Sequence, residues 1–370
     1  MFNRIAIVLG TRPEAIKLIP VYLELKKRFP VVELVSTGQH ESMLEKIFGF
    51  FDVRPDVSLR VMTHNQQLAG LTAALSERLQ ECYTQGAYDL VIVQGDTTTA
   101  MVASLIAYYN RIKVAHVEAG LRTYDKFSPF PEEINRQLIS RIGDYHFVPT
   151  QRALETLSHE HVDNAFLVGN TVIDSLLLCL EKIRKNEAPY EARFPVLKSF
   201  EKLVLITGHR RENFGQGFDE ICRAIHELSK RYPTYLFYYP VHLNPNVKDK
   251  VHGILSGLSN VVLDVPLPYD ELIYLMSKSY IILTDSGGIQ EEAPSLHVPL
   301  LVMRNTTERP EGIDIGCARL VGTDSKVIID SFVELVNDPR VYQKMAAPEN
   351  PYGDGQSAKK IGDVLEKLGA

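Results

Sequence analysis

Residues 280–303 read YIILTDSGGIQEEAPSLHVPLLVM. The apolar run 280–283 predicts a buried strand, a glycine turn follows, and a helix with two glutamates precedes the next apolar run. This order predicts one βαβ unit of a parallel sheet. Free N–H groups at such a helix start bind anions, and glycines let a phosphate approach the backbone. Ser286, Gly287 and Gly288 are therefore expected to hold a diphosphate, with Glu292 accepting ribose hydroxyls; the alternative is a plain turn with surface glutamates.

The same alternation of strands and helices runs through two halves of the chain. Near-continuous Val/Ile runs such as RIAIVLG and DLVIVQG are typical of parallel strands that are buried on both faces. The fold class is therefore α/β, with two Rossmann-like, doubly wound parallel-sheet domains that face a cleft. We place the N-terminal domain at residues 1–169 and the C-terminal domain at 170–355. Ligands are expected in the cleft, beyond the carboxyl ends of the strands.

Composition excludes several function classes. A net charge of -6 over 370 residues argues against nucleic acid or a membrane surface as a partner. No run of about 18 apolar residues is present and the first apolar run is too short for a signal peptide, so we expect a cytoplasmic protein. The four cysteines match no zinc or redox spacing, so no metal is expected. The first strand turn, GTRPEAIK, lacks the GxGxxG pattern of nicotinamide binding, and no cofactor is predicted.

Charged residues collect where the predicted strands end. In the first half these are Arg12 and Lys17 in GTRPEAIK, Asp96 in GDTTTA, Glu118 in HVEAGLRT, and Glu132 and Glu133 in FSPFPEEINR. In the second half they are His209 and Arg210 in TGHRRENFG, His242 in PVHLNPN, and Arg309 in NTTERPEG, which is expected to pair with a phosphate oxygen.

Structural roles compete with the functional interpretation at several of these positions. Asp96 is also placed to cap the following helix. Glu118 is also placed for a structural salt bridge, and Glu133 for complementing a helix dipole. His209 lies beside two arginines in a loop bracketed by glycines, and this setting favours a functional role. For His242 a structural role and a functional role both stay open.

These motifs, in this order from Gly10 to about Gly355, resemble the non-hydrolysing UDP-N-acetylglucosamine 2-epimerases of bacteria and archaea. The resemblance implies the two-domain GT-B fold, with residues 356–370 forming a last helix that returns to the first domain. It also implies a homodimer, no cofactor, and a product that feeds synthesis of cell-envelope or capsular polysaccharide.

The activity implied by the resemblance is reversible conversion of UDP-N-acetylglucosamine to UDP-N-acetylmannosamine. The C2 proton is not next to a carbonyl, so direct deprotonation is difficult. Loss of UDP from C1 makes that proton acidic and gives 2-acetamidoglucal, to which UDP adds back after protonation on the other face. Such a reaction needs at least two acid–base groups, and several carboxylates in one site supply them.

The family's functional residues fall on matching positions here. Asp96, Glu118 and Glu132 match the catalytic carboxylates, and His209 matches the histidine near the departing diphosphate. The nucleotide-sugar contacts match Arg12, Lys17, Ser286, Gly287, Gly288, Glu292 and Arg309. A second, activating substrate site matches at Gln39, Arg210 and His242.

The chain departs from the family at that second site and near the uracil. It has QHESML, with Glu41 and Ser42, where relatives have a pattern close to QHRxML. Ala74 stands where an arginine is usual, and Leu272 where an aromatic residue is usual. Three alternatives to the main interpretation remain. The first is a 2-epimerase that acts on a more modified UDP-sugar of the diacetamido uronic acid type. The second is a GT-B glycosyltransferase, and the third is a nucleotide-sugar sensor without activity.

Overall fold

The structure is a computed structural model that describes residues 2–38, 41–62 and 66–369. Contacts divide the chain into two units, Met1–Leu178 with Tyr352–Ala370, and Cys179–Pro351. The predicted boundary at Gly169 lies two residues before the helix Thr171–Lys185, within which the division by contacts falls. The domain limits predicted from the sequence stay a prediction.

The first unit is built on a parallel sheet of seven strands. Its strands are β1 (Arg4–Leu9), β2 (Val31–Ser36), β3 (Val57–Ser58), β4 (Leu90–Gln94), β5 (Lys113–Val117), β6 (Tyr145–Val148) and β7 (Ala165–Leu167). Its helices are α1 (Arg12–Leu25), α2 (Glu41–Phe51), α3 (Leu68–Gly86), α4 (Thr98–Tyr109), α5 (Glu132–Ile142), α6 (Gln151–His159) and α7 (Thr171–Lys185), which continues past the unit's limit. The strand order is β3-β2-β1-β4-β5-β6-β7.

The second unit repeats this plan with six strands. Its strands are β8 (Lys202–Thr207), β9 (Tyr235–Pro240), β10 (Val261–Asp264), β11 (Ser279–Thr284), β12 (Leu300–Val302) and β13 (Ala318–Leu320). Its helices are α8 (Ala188–Arg193), α9 (Gln216–Arg231), α10 (Pro245–Leu255), α11 (Tyr269–Lys278), α12 (Gly287–Glu292), α13 (Pro310–Asp314), α14 (Ser325–Asn337) and α15 (Pro339–Ala346). Short 3₁₀ segments occur at Pro195–Ser199, Arg211–Asn213 and Ala293–Leu296. The strand order is β10-β9-β8-β11-β12-β13.

The last helix, α16 (Ser357–Gly369), belongs to the first unit. The buried carboxylate of Asp174 caps it, because Oδ1 accepts the N–H of Ala358 at 2.8 Å and Oδ2 accepts that of Ser357 at 3.2 Å. Arg28, near the end of α1, donates to Asp363 on α16 at 2.6 Å. Asp174 thus joins α16 to α7, and Arg28 joins it to the segment that follows α1.

Strand burial explains why these residues form parallel sheets. In β4 every residue is buried, and so are Ile5–Leu9 in β1 and Ile281–Thr284 in β11, on both faces of the sheets. The apolar side chains of the second unit form a core around Phe218, Phe237 and Phe332. Such continuous apolar strands require helices on both faces, which the predicted strand–helix alternation supplies. The prediction of two doubly wound parallel sheets is confirmed.

The strand orders locate the sites. In the first sheet the order reverses between β1 and β4, and in the second between β8 and β11. Ligands of open parallel sheets bind at this switch point, outside the carboxyl ends of the strands. The loops there are 10–11 and 95–97 in the first unit, and 208–210 and 285–286 in the second. Six of the residues singled out in the sequence lie on or directly after these loops: Arg12, Asp96, His209, Arg210, Ser286 and Gly287.

Among the residues that the structure describes, no helix is both long and apolar enough to cross a lipid bilayer.

Candidate active site

In the first unit, four charged side chains meet at the carboxyl ends of the strands. Lys17, on α1, donates to Glu118 Oε1 at 2.7 Å and to Oε2 at 2.6 Å. Arg136, on α5, lies 3.1 Å from Asp96 Oδ2. We call these four residues, with Glu132, the carboxylate cluster.

Asp96 follows β4 after Gly95, whose φ of +70° makes the turn from the strand toward α4. Its alternative role as a helix cap is wrong, because Thr97 caps α4 and its hydroxyl accepts the N–H of Ala100 at 3.0 Å. Burial raises the pKa of Asp96 to about 6, an effect that Arg136 opposes and that Glu118 and Glu132 reinforce. A carboxyl group with a pKa near neutrality is suited to both accepting and donating a proton.

Glu118 lies just past β5 with a φ of +63°, a left-handed conformation that is uncommon outside glycine. Besides its ion pair with Lys17, its Oε2 accepts a hydrogen bond from the amide of Gln94, at the end of β4. The side chain is only 6 % exposed, so the salt bridge foreseen as an alternative role is present and nearly buried. The structure therefore joins Glu118 to a lysine that the sequence assigned to substrate binding.

The two glutamates at the start of α5 have different surroundings. Glu132 is half-buried, and its charge lies near enough to Asp96 to raise the pKa of Asp96. Glu133 is fully buried and accepts the N–H groups of Thr123 at 3.0 Å and Tyr124 at 3.1 Å. Burial raises the pKa of Glu133, but these hydrogen bonds and one from Gln137 outweigh it and leave the pKa below the usual value. Glu133 thus anchors the loop before α5 rather than serving chiefly the helix dipole.

Two buried groups behind the cluster escaped the sequence analysis. Glu14, on α1, accepts hydrogen bonds from Gly10 N, from both the N–H and the hydroxyl of Thr11, and from the Thr97 hydroxyl. It joins the loops after β1 and β4, and burial raises its pKa. His116 donates Nε2–H to the Gly95 carbonyl at 2.7 Å, and burial lowers its pKa to about 3, so the ring is neutral. The Thr-x-x-Glu spacing of a capping box was a signal for Glu14.

Arg12 is the first residue of α1 and is half-buried.

In the second unit, two guanidinium groups lie beside the glycine turn after β11. A Cβ atom on Gly287 would lie 3.5 Å from Nη2 of Arg210 and 3.6 Å from Cζ of Arg309. Arg309 also donates from Nε to Glu291 at 2.8 Å. Ser286 occupies the N-cap position of α12 without a capping hydrogen bond from its side chain, and its N–H donates to the Thr284 hydroxyl at 3.0 Å. Cations and backbone N–H groups gathered at one turn suit a diphosphate.

Glu292 is the last residue of α12, the helix that begins at this turn. It is buried, and its Oε1 accepts the hydroxyl proton of Tyr269 at 2.8 Å. Gly288 is exposed at the first turn of the helix. The strand, turn and short helix predicted from residues 280–296 are thus present, with Glu292 at the far end of the helix.

His209 and His242 stack face to face, with ring centroids 5.4 Å apart and an interplanar angle of 16°. His209 follows β8, and its Nδ1 lies 3.6 Å from Oδ1 of the buried Asp285. Burial lowers the pKa of His209; Asp285 opposes this, while His242 and Arg210 add to it. We call His209, Arg210, His242, Asp285 and Arg309 the diphosphate cluster.

The structure describes two of the three residues predicted for a second substrate site. Gln39 lies outside the described residues. Arg210 and His242 both belong to the diphosphate cluster, beside Gly287 and His209 respectively. Within the described part of the chain, no group of three or more His, Cys, Asp or Glu side chains is arranged to hold a metal ion.

Two Rossmann-like sheets, one with a carboxylate cluster and one with guanidinium groups at a glycine turn, are typical of GT-B enzymes that act on nucleotide sugars. A family model described as UDP-N-acetylglucosamine 2-epimerase matches residues 23–366. The chain belongs to this UDP-N-acetylglucosamine 2-epimerase family, as its motifs indicated.

Individual relatives agree with this family over nearly the whole chain. A UDP-N-acetylglucosamine 2-epimerase of Neisseria meningitidis is 46% identical, covering 98% of this chain and 99% of its own. A crystal structure of UDP-GlcNAc 2-epimerase from that species, bound to UDP-GlcNAc, superposes with a TM-score of 0.91 at 46% identity, covering 98% and 100% of the two chains. The Methanocaldococcus jannaschii enzyme in complex with UDP-GlcNAc and UDP gives 0.82 at 32% identity, covering 98% and 99%.

Proposed function

We propose that this protein interconverts UDP-N-acetylglucosamine and UDP-N-acetylmannosamine by elimination and re-addition of UDP. The observation that carries the proposal is the carboxylate cluster, in which Asp96 has a pKa near neutrality beside Glu118 and Glu132. A GT-B fold that only bound or transferred a sugar would need no such set of acid–base groups. Family membership names the substrate, since the relatives are UDP-N-acetylglucosamine 2-epimerases and one is bound to UDP-GlcNAc.

The first half-reaction breaks the C1–O bond, and its electron pair leaves with UDP. A carboxylate of the cluster removes the C2 proton, and the C2–H electron pair forms the C1–C2 double bond of 2-acetamidoglucal. We assign Asp96, Glu118 and Glu132 to these proton transfers. Each positioned acid–base group contributes roughly 10²–10⁴ in rate.

We assign stabilisation of the departing UDP to the diphosphate cluster. Arg210 and Arg309 flank Gly287, where the diphosphate is proposed to lie against the Ser286 hydroxyl and the N–H groups of Gly287 and Gly288. His209 is assigned to the charge that develops on UDP when the C1–O bond breaks. Glu292 is assigned to the ribose hydroxyls.

The second half-reaction reverses these steps on the other face of C2. A second acid–base group protonates C2, and UDP adds to C1. The substrate is neither oxidised nor reduced in the net reaction. Lys17, paired with Glu118, and Arg12 at the start of α1 are assigned to the nucleotide sugar, as the family resemblance implies.

Several finer predictions accompany this function. A homodimer, a cytoplasmic location and a product used for envelope polysaccharide stay predictions, as does the second substrate site. Light scattering of the purified protein tests the dimer directly.

The function is tested by incubating the protein with UDP-N-acetylglucosamine alone in D₂O and recording proton NMR spectra. We expect the manno isomer to appear with deuterium at C2. The Asp96→Asn variant should lose this activity, while the matched control Asp163→Asn, at an exposed acid of the same unit, should keep it.

UDP binding without isotope uptake would overturn the proposal. Turnover that requires an acceptor would then identify a glycosyltransferase, and uptake only with a diacetamido uronic acid derivative would identify a different substrate.

A further inference from the structure

Asp285, the first residue after β11, is a fully buried carboxylate in the diphosphate cluster that the sequence analysis did not assign. Its Oδ2 accepts the N–H of His209 at 2.8 Å, the N–H of Arg210 at 2.8 Å and the side-chain amide of Asn213 at 3.3 Å. One oxygen therefore holds the backbone of the loop that carries both functional side chains.

The other oxygen of Asp285 has different surroundings. Oδ1 is buried and has no hydrogen-bond partner among the residues that the structure describes. His209 Nδ1 lies 3.6 Å away, slightly beyond hydrogen-bond distance. A buried carboxylate oxygen without a partner is costly, so a small rotation of the imidazole that brings Nδ1–H onto Oδ1 is favoured.

The orientation of a histidine follows from the hydrogen bond at its second nitrogen. When Nδ1–H donates to a carboxylate, the neutral ring carries its lone pair on Nε2, and that nitrogen faces the ligand. On a ring that gains a proton, the nearby anion also stabilises the cation. A group that meets a departing diphosphate needs both properties.

We propose that Asp285 is a positioning residue, which fixes the tautomer and orientation of His209 so that Nε2 faces the leaving UDP. This inference rests on the proposed function, since it assigns His209 to the diphosphate. Asp285 also directly precedes Ser286, so the same carboxylate sets the histidine beside the start of the phosphate-binding turn.

The Asp285→Asn variant separates this role from simple anchoring of the loop. The introduced amide keeps one oxygen to accept the N–H groups of His209 and Arg210. It replaces Oδ1 with an N–H₂ group, which cannot accept from Nδ1–H of His209. We expect kcat to fall roughly 10²–10³-fold with KM changed only a few-fold, since the group lost acts on the transition state.

The matched control is Asn213→Ala, which removes the hydrogen bonds from this amide to Oδ2 and to the Met303 carbonyl and does not alter Oδ1 or the imidazole. Its kcat should fall less than about tenfold. An equal loss of activity in both variants, with equal loss of UDP affinity, would overturn the proposal, because it would show that Asp285 only anchors the loop.

Nitrogen-15 NMR of the histidine side chains tests the tautomer without any turnover. In the unliganded wild-type protein, with His209 assigned through His209→Gln, Nδ1 of the neutral ring should carry the proton. In Asp285→Asn the proton should move to Nε2. A wild-type ring protonated on Nε2 would overturn the proposal even if the variant failed to fold.

The two proposals fail in different experiments. If the wild-type protein exchanges no C2 proton, the epimerase function fails, whereas the NMR measurement still decides whether Asp285 orients His209.

Discussion

Asp96 is expected to make the folded protein less stable in exchange for its acid–base role. Its pKa of about 6 in the folded protein exceeds the ordinary 3.8, so the folded state holds this proton more tightly than the unfolded chain. Stability from this group is therefore lost as the pH rises from about 3.8 through about 6. Replacing Asp96 with Asn, which resembles the protonated carboxyl, should restore that stability at neutral and alkaline pH.

The magnitude follows from the two pKa values. Their difference corresponds to about 3 kcal/mol at most. The side chain is 30 % exposed, so solvent screening reduces the expected gain to about 1–2 kcal/mol. Arg136 keeps a second acidic neighbour in the variant, because its Nε lies 3.5 Å from Glu133 Oε2. The gain should shrink to about half near pH 5 and vanish below about pH 4.

Urea unfolding of wild type, Asp96→Asn and the surface control Asp163→Asn measures this effect at about pH 8, 5 and 4. The control should change the free energy of unfolding by less than about 0.5 kcal/mol. Asp96→Asn should be more stable than wild type at pH 8 yet nearly inactive. No gain at pH 8, or the same gain at every pH, would refute the view that burial and neighbouring acids penalise the ionised carboxylate.

Three further outcomes are expected. Lys17→Met should destabilise the first unit by about 3–5 kcal/mol, because Glu118 loses its ammonium partner. In a double-mutant cycle, adding Glu118→Gln should recover part of this loss, and strictly additive effects of the two substitutions would contradict the pairing. Arg210→Met should weaken UDP binding by about 1.5–3 kcal/mol in calorimetry, with uridine binding unchanged; equal effects on both ligands would count against a phosphate contact. Asp174→Ala should cost about 0.5–2 kcal/mol and raise amide exchange in residues 357–369, whereas unchanged protection there would argue against the cap.

The sequence predicted the sheets and the loops of the site because both depend on local patterns. Apolar runs mark the strands, and charged or glycine residues after each run mark the loops at the carboxyl edge. The stretch 284–296 forms the expected turn for this reason.

Partners distant in the chain could not be predicted in the same way. Asp285 and His209 are 76 residues apart, and nothing in the sequence indicates that the Asp285 carboxylate accepts the backbone N–H of His209. Lys17 and Glu118 are 101 residues apart, so each was assigned a role without the other. The roles of Glu132 and Glu133 also depend on which side of α5 meets the preceding loop, which only the folded chain decides.

The return of the last helix to α1 affects the order in which the protein matures on the ribosome. Residues 179–351 contain every strand of the second sheet, so that sheet can close as soon as its own segment has emerged. The first sheet is synthesised earlier, yet the helix that covers α1 and the cap supplied by Asp174 wait for residues 357–369. During translation the half of the protein made first is thus the half completed last, and the side of α1 that α16 covers stays exposed until then.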